Sequence, residues 1–254
     1  MSGLEQRIAD LRGRIERAAA RAGRTADDVR LLAISKTFPA ATLIEAAAAG
    51  LTCFGENRVQ EAAQKIPAVN SARAERIEWH LVGQLQRNKA RRAAELFDVV
   101  QSVDRLPLAQ QLDRCARECN RTLRVLVQVD VDAEPQKGGA APQELPALLE
   151  ALAGLTHLDV EGLMAIPAQL ADPEAQRPAF ARLRELLAQL QHTAPQGAQL
   201  RELSMGMSAD FEVAIEEGST CVRIGSALFG ARPSADPDPT SAERDPSRGG
   251  TEPA

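Results

Sequence analysis

Leu123-Arg124-Val125-Leu126-Val127-Gln128-Val129-Asp130 is rich in aliphatic and β-branched side chains and lies between two stretches of helical character. Such a run reads as a buried strand. Residues 106–119 before it and 143–153 after it place apolar residues at helical spacing. The same alternation extends in both directions. Short apolar runs at 29–35, 51–54, 77–82 and 99–103 lie upstream, and further runs at 158–164, 202–205 and 221–224 lie downstream. Between them fall an alanine-rich helix at 40–49 stopped by Gly50, and helices at 57–65 and 89–96. A later helix carries Phe180, Leu183, Leu186, Leu187 and Leu190 on one face, and another covers 209–217.

Strictly alternating strands and helices predict a parallel sheet with right-handed crossovers. Eight strands in 254 residues suit a closed (β/α)8 TIM-type barrel. An open doubly wound sheet needs fewer strands and usually a Gly-rich first turn, and no G-x-G-x-x-G follows the first strand here. Leu4, Ile8, Leu11 and Ile15 among charges predict an amphipathic N-terminal helix rather than a signal peptide. The expected organisation is an N-terminal helix (1–26) on a barrel (27–233), followed by a polar tail (234–254). The tail has no aliphatic side chain larger than Ala, so it cannot offset its ordering entropy and is expected to be disordered.

A net charge of −5 argues against a nucleic-acid or membrane-surface partner, both of which need a basic face. The basic run Gln86-Arg87-Asn88-Lys89-Ala90-Arg91-Arg92 reads as a solvated helix face. No stretch approaches the roughly 20 apolar residues of a membrane span, so a cytoplasmic protein is expected. Cys53, Cys115, Cys119 and Cys221 form no C-x-x-C pair, and His80, His157 and His192 are scattered. Reduced, mostly buried thiols and no metal site are expected.

Functional groups of such barrels collect at the C-terminal strand ends. Strand one ends in Ser35-Lys36-Thr37. Lys36 is one of only four lysines, with Lys65, Lys89 and Lys137, and the one that directly ends an apolar strand. A lysine there either snorkels from the rim or serves as an amine nucleophile, and position alone leaves both readings open. The seventh and eighth strands run into Met205-Gly206-Met207-Ser208 and Arg223-Ile224-Gly225-Ser226, turns whose backbone amides and hydroxyls suit a phosphate. Ordinary strand-to-helix turns also use Gly and Ser. Two such turns at the phosphate-binding end of one barrel, facing a lysine, suit an aldehyde-bearing phosphate cofactor such as pyridoxal 5′-phosphate (PLP).

Six blocks carry a resemblance: Leu32-Ala33-Ile34-Ser35-Lys36-Thr37, Phe54-Gly55-Glu56-Asn57-Arg58-Val59-Gln60-Glu61, the segment from Trp79 through His80 to Lys89, Gly162-Leu163-Met164-Ala165-Ile166-Pro167, Leu203-Ser204-Met205-Gly206-Met207-Ser208, and Val222 through Gly230. In these the chain resembles the pyridoxal phosphate homeostasis protein family, barrel relatives of the alanine racemase N-terminal domain. The resemblance implies a fold-type III PLP barrel and Lys36 as the lysine forming a Schiff base with the cofactor. It also implies Ser208, Gly225 and Ser226 as phosphate contacts and Arg223 as the partner of the pyridine nitrogen. Asn57, His80 and Met205 would line the pocket.

A guanidinium facing the pyridine nitrogen leaves that nitrogen unprotonated and weakens the ring as an electron sink. The rival reading is a fold-type III racemase or decarboxylase. Racemases of that group use a tyrosine as second base, and this chain contains none, although Cys221 or His80 offers a formal substitute. Those enzymes also carry a further β-domain, whereas here the barrel ends near Gly230. The resemblance therefore implies a non-catalytic, monomeric protein of vitamin B6 homeostasis that buffers PLP or delivers it transiently to PLP-dependent apoenzymes. A barrel for another phosphorylated metabolite is a third reading, and Lys137, after strand five, is a candidate for a second PLP site.

Overall fold

The computed structural model describes residues 2–132, 134, 138–193 and 199–230. The chain opens with helix α1 (Gly3–Arg21), capped by a Ser2/Glu5 capping box, with Ile8, Leu11, Ile15, Ala18 and Ala19 buried along one stripe. Strands and helices then alternate: β1 (Arg30–Ile34), α2 (Ala40–Ala48), β2 (Cys53–Glu56), α3 (Val59–Ser71), β3 (Glu78–Leu81), α4 (Ala90–Leu96), β4 (Val99–Val103) and α5 (Leu106–Glu118). The second half continues with β5 (Leu123–Gln128), α6 (Leu145–Ala153), β6 (Leu158–Met164), α7 (Arg177–Thr193), β7 (Glu202–Met207), α8 (Phe211–Glu216), β8 (Cys221–Ile224) and a last turn α9 (Ser226–Phe229).

The eight strands close in sequence order, and β1 pairs in parallel with both β2 and β8. The barrel expected from the alternation is therefore the fold observed. Helix α1 lies outside the closed sheet against α8 and α9. Strand boundaries fall within a residue or two of those expected. Helix α3 is longer than the sequence pattern suggests, running through Pro67 to Ser71, because Ile66 and Val69 extend the buried face of Val59 and Ala62. Gly50 does stop α2, at φ 86°, where any other residue would be strained.

Most of the apolar core lies between sheet and helices, where Phe54, Trp79, Leu112, Phe180 and Phe211 are almost wholly buried. The barrel interior is different. A small apolar group, Leu32, Ile34, Cys53, Val82 and Cys221, occupies one side. Towards the floor, at the strand starts, sit five charged residues. Arg30 lies 3.9 Å from Glu78 and 3.7 Å from Glu202, and Arg124 lies 3.2 Å from Glu78 and 3.8 Å from Glu161. Ion pairing closes the floor, and the mouth is left to the strand ends.

Candidate functional site

At the C-terminal mouth, a cavity of about 420 Å³ is lined by Ile34, Lys36, Phe38, Asn57, Val82, Ile166, Gln169, Met207, Ser208, Ala209, Arg223, Gly225 and Ser226. Six of the eight residues singled out in the sequence, Lys36, Asn57, Ser208, Arg223, Gly225 and Ser226, thus meet in one place. Register explains part of this. Ile34 pairs with Gly55 and Ala33 with Ile224, so Lys36, Asn57 and Gly225 leave adjacent strands at similar height. Phe38 forms an apolar wall with Phe229, ring centroids 4.9 Å apart.

The turn after Lys36 is built with unusual care. Thr37 adopts φ 70°, a left-handed conformation that disfavours a β-branched residue. Its N–H donates to Glu61 Oε1 at 2.5 Å. Behind it lies Lys65, buried despite its charge. The Lys65 ammonium donates to Ser35 O at 2.8 Å and Glu56 Oε1 at 2.8 Å, and lies 2.6 Å from Glu61 Oε1. Glu56 also accepts from the Ser35 hydroxyl at 2.6 Å. Burial pushes the Glu56 carboxyl up, against the pull of Lys65 and Ser35. These contacts clamp the residues on either side of Lys36 to α3.

Across the mouth, Arg223 is buried, and its Nη1 donates to Ser204 O at 2.6 Å and Ser204 Oγ at 2.8 Å. Its Nη2 donates to Ala165 O at 2.7 Å. Desolvation lowers its pKa to about 10, which leaves it cationic at neutral pH. Next to it, the amides of Gly225 and Ala227 donate to Ser208 Oγ at 3.2 and 3.3 Å. Two amide donors and two hydroxyls, those of Ser208 and Ser226, therefore stand together at the turn after β8. The cavity also holds a buried acceptor without a partner, Asn57 Oδ1.

Two expected pocket residues lie elsewhere. Met205 is fully buried in the apolar core rather than at the cavity. Ser204 bonds across the barrel interior, so strand alternation sends Met205 into the helix layer. Strand β7 runs two residues further than its sequence pattern suggests, and Met207 takes the lining role. His80 points into the barrel but sits below the mouth, with Nδ1 2.7 Å from Gln101 Nε2 and Nε2 2.5 Å from Glu78 Oε1. Burial pushes its pKa down. Gln169, Phe38 and Ile166 line the cavity without having been singled out, since they lie on loops whose path no periodicity encodes.

Sequence distance also hid one grouping. Cys53 pairs with Glu78 across β2 and β3, which puts Cys53, Glu78 and His80 within 4.8 Å of one another. The Cys53 thiol meets Glu78 Oε1 at 3.9 Å, while Glu78 and His80 are committed to each other, to Gln101 and to the floor arginines. Lys137 and residues 234–254 lie outside the described residues. No helix among the described residues is long and apolar enough to cross a membrane.

The sequence pattern of the family described as "Alanine racemase, N-terminal domain" matches residues 8–233. A pyridoxal phosphate homeostasis protein of Pseudomonas aeruginosa is 50% identical over 232 residues, 91% of this chain and 97% of that protein. Among solved structures, PipY of Synechococcus elongatus with PLP bound is 40% identical, with a TM-score of 0.79 over 89% of this chain and 100% of that chain. Alanine racemase from Corynebacterium glutamicum shares the fold at 20% identity and a TM-score of 0.66, matching 89% of this chain and 62% of that one.

Proposed function

Because the chain belongs to the pyridoxal phosphate homeostasis protein family, within the alanine racemase N-terminal domain group, we propose that it binds PLP covalently through Lys36 and buffers or delivers it without turning over a substrate. The observation that carries this reading is the meeting of Lys36, Asn57, Ser208, Arg223, Gly225 and Ser226 around one cavity. Its amine, amides, hydroxyls and guanidinium match the groups PLP presents. The cofactor supplies an aldehyde, which takes up a primary amine with loss of water, and an anionic phosphate.

Each group of the chain then has a task. The clamp of Glu61, Lys65 and Glu56 holds the segment that carries Lys36. The amides now held on Ser208 Oγ, with the hydroxyls of Ser208 and Ser226, would take the phosphate, since backbone amides favour an anion without added charge. Asn57 would present its unpartnered amide oxygen beside the ring. Arg223 would meet the pyridine nitrogen as a donor and leave it unprotonated.

That last assignment favours a carrier over carbanion chemistry. A deprotonated ring nitrogen disfavours carbanion chemistry but does not hinder the capture or release of an aldehyde. The two formal candidates for a second base, His80 and Cys221, are not among the residues lining the cavity. His80 has both ring nitrogens engaged, and Cys221 is buried with its thiol pushed up by desolvation. The protein is inferred to act in the cytoplasm as a monomer, with PLP-dependent apoenzymes as transient partners.

The test is an absorbance titration of purified protein with PLP, alongside Lys36→Ala, followed by incubation of the loaded protein with each amino acid. A protein-bound chromophore absent from Lys36→Ala, with no product formed, is expected. Turnover near 1 s⁻¹, ordinary for an enzyme, overturns the carrier reading. An unchanged chromophore in Lys36→Ala overturns the attachment.

A further inference from the structure

Arg223 poses an electrostatic problem that the cavity does not solve. A guanidinium in the barrel interior needs a counter-charge, because an unpaired buried ion is costly. Yet its hydrogen bonds go to neutral oxygens, Ala165 O, Ser204 O and Ser204 Oγ. Among the described residues no carboxylate pairs with it; Asp210 acts on it through space only. The contacts beyond Ser204 supply an answer. The Ser204 hydroxyl donates to Gln101 Oε1 at 2.7 Å, Gln101 Nε2 lies 2.7 Å from His80 Nδ1, and His80 Nε2 lies 2.5 Å from Glu78 Oε1.

The direction of this chain is fixed from both ends. A guanidinium only donates, so Ser204 Oγ accepts and sends its single proton on to Gln101 Oε1. The other end of the amide is then NH2, which must donate, so His80 Nδ1 accepts. A neutral imidazole with a bare Nδ1 carries its proton on Nε2, where it meets a carboxylate that only accepts. Burial favours the neutral imidazole, and for that form turning the Gln101 amide over would put Nδ1–H against its oxygen and leave a bare Nε2 facing Glu78 at 2.5 Å, acceptor against acceptor. Glu78 is in turn held by Arg30 and Arg124 on the floor.

We propose that Ser204, Gln101, His80 and Glu78 are positioning residues for Arg223: a one-way relay of four hydrogen bonds that ties the buried guanidinium to a carboxylate at the barrel floor. The relay aims the guanidinium and keeps its nearest hydrogen-bonded anion three residues away from the mouth. A carboxylate directly beside Arg223 would instead sit near the ring of a bound cofactor and favour a protonated pyridine nitrogen. This rests on the reading of the cavity as a PLP site, and it gives His80 a role at one remove from that site.

The experiment has two arms. The first needs no cofactor. Long-range 1H–15N spectra of the imidazoles, of which the chain has three, are expected to show His80 in the neutral Nε2–H form. In Gln101→Glu, a carboxylate cannot donate to Nδ1, so His80 is expected to carry protons on both nitrogens under the same conditions. An Nδ1–H form in the unaltered protein, or no change in Gln101→Glu, overturns the relay. The second arm measures PLP affinity and the absorbance of the bound cofactor. Ser204→Ala and Gln101→Leu are expected to weaken binding about tenfold and shift the band, while Ser204→Thr, which keeps the hydroxyl, retains both. Wild-type affinity and spectrum in Ser204→Ala and Gln101→Leu overturn the positioning role. If the unaltered protein takes up no PLP, the functional reading fails, while the first arm still decides the relay.

Discussion

Lys65→Met tests whether the clamp behind Lys36 is electrostatic in origin. The substitution keeps the length and apolar stem of the side chain and removes the ammonium that bonds Ser35 O and Glu56 Oε1, both at 2.8 Å. Glu56 is then left fully buried. Its Oε2 already lacks a hydrogen-bond partner, and burial already pushes its pKa above the ordinary 4.5. Without Lys65, the carboxyl is expected to take up a proton in the folded state. Protonating a carboxyl of ordinary pKa costs about 1.4 kcal/mol for each pH unit above that value. The penalty is therefore about 4 kcal/mol at pH 7.5 and roughly 1.4 kcal/mol at pH 5.5. The larger figure agrees with the ~3–5 kcal/mol typical of a broken buried pair. The sign follows from linkage. A group whose folded pKa is raised contributes stability that is present below the unfolded value and lost as pH rises. Urea unfolding of the cofactor-free protein at the two pH values reads this directly, as a midpoint lowered by roughly 1–2 M at the higher pH. Adding Glu56→Gln should remove most of the pH dependence. A penalty equal at both pH values, or below about 1 kcal/mol at pH 7.5, refutes the reasoning.

Gly83→Ala would place a Cβ 2.2 Å from Asn57 O, inside van der Waals contact with backbone. It should cost about 1–3 kcal/mol of stability and weaken PLP binding about tenfold by displacing Asn57, as read by denaturation and absorbance titration. Ser208→Ala removes the oxygen that the Gly225 and Ala227 amides share and should weaken PLP binding by about tenfold with little loss of stability; unchanged affinity would exclude the phosphate assignment. His80 is held below its ordinary 6.5 by burial, so the stability it contributes is present above that pH and lost as pH falls towards its folded value. His80→Asn should therefore flatten the decline in stability on acidification below pH 6.5 relative to wild type, and parallel curves would contradict this.

The barrel was legible because the strands are short, largely apolar runs and the connections between them carry helical stripes, as Leu123 to Gln128 and Leu106 to Glu118 illustrate. The mouth residues were legible because strand ends are where such barrels place function: Lys36, Asn57 and Gly225 follow their strands by no more than two residues, and Arg223 is the last but one of β8. Met205 was misplaced because Ser204 faces the barrel interior and alternation turns Met205 outward, and no residue type marks the register shift between Ser204 and Met207. The interior network stayed hidden for a different reason. Gln101, Ser204 and Glu78 look like ordinary polar interruptions of strands, and only closure of the sheet brings β3, β4, β7 and β8 within hydrogen-bond reach. Lys65 was similarly opaque, since a lysine inside an amphipathic helix reads as a solvated position until α3 turns it towards β1.

The claim on which the rest depends is a covalent bond at one lysine, and peptide mapping after borohydride reduction of the PLP-loaded protein tests it directly. The account predicts one pyridoxyl mass per tightly bound cofactor, on the peptide containing Lys36. A reduced adduct confined to Lys65, Lys89 or Lys137, or no adduct at all, would contradict it.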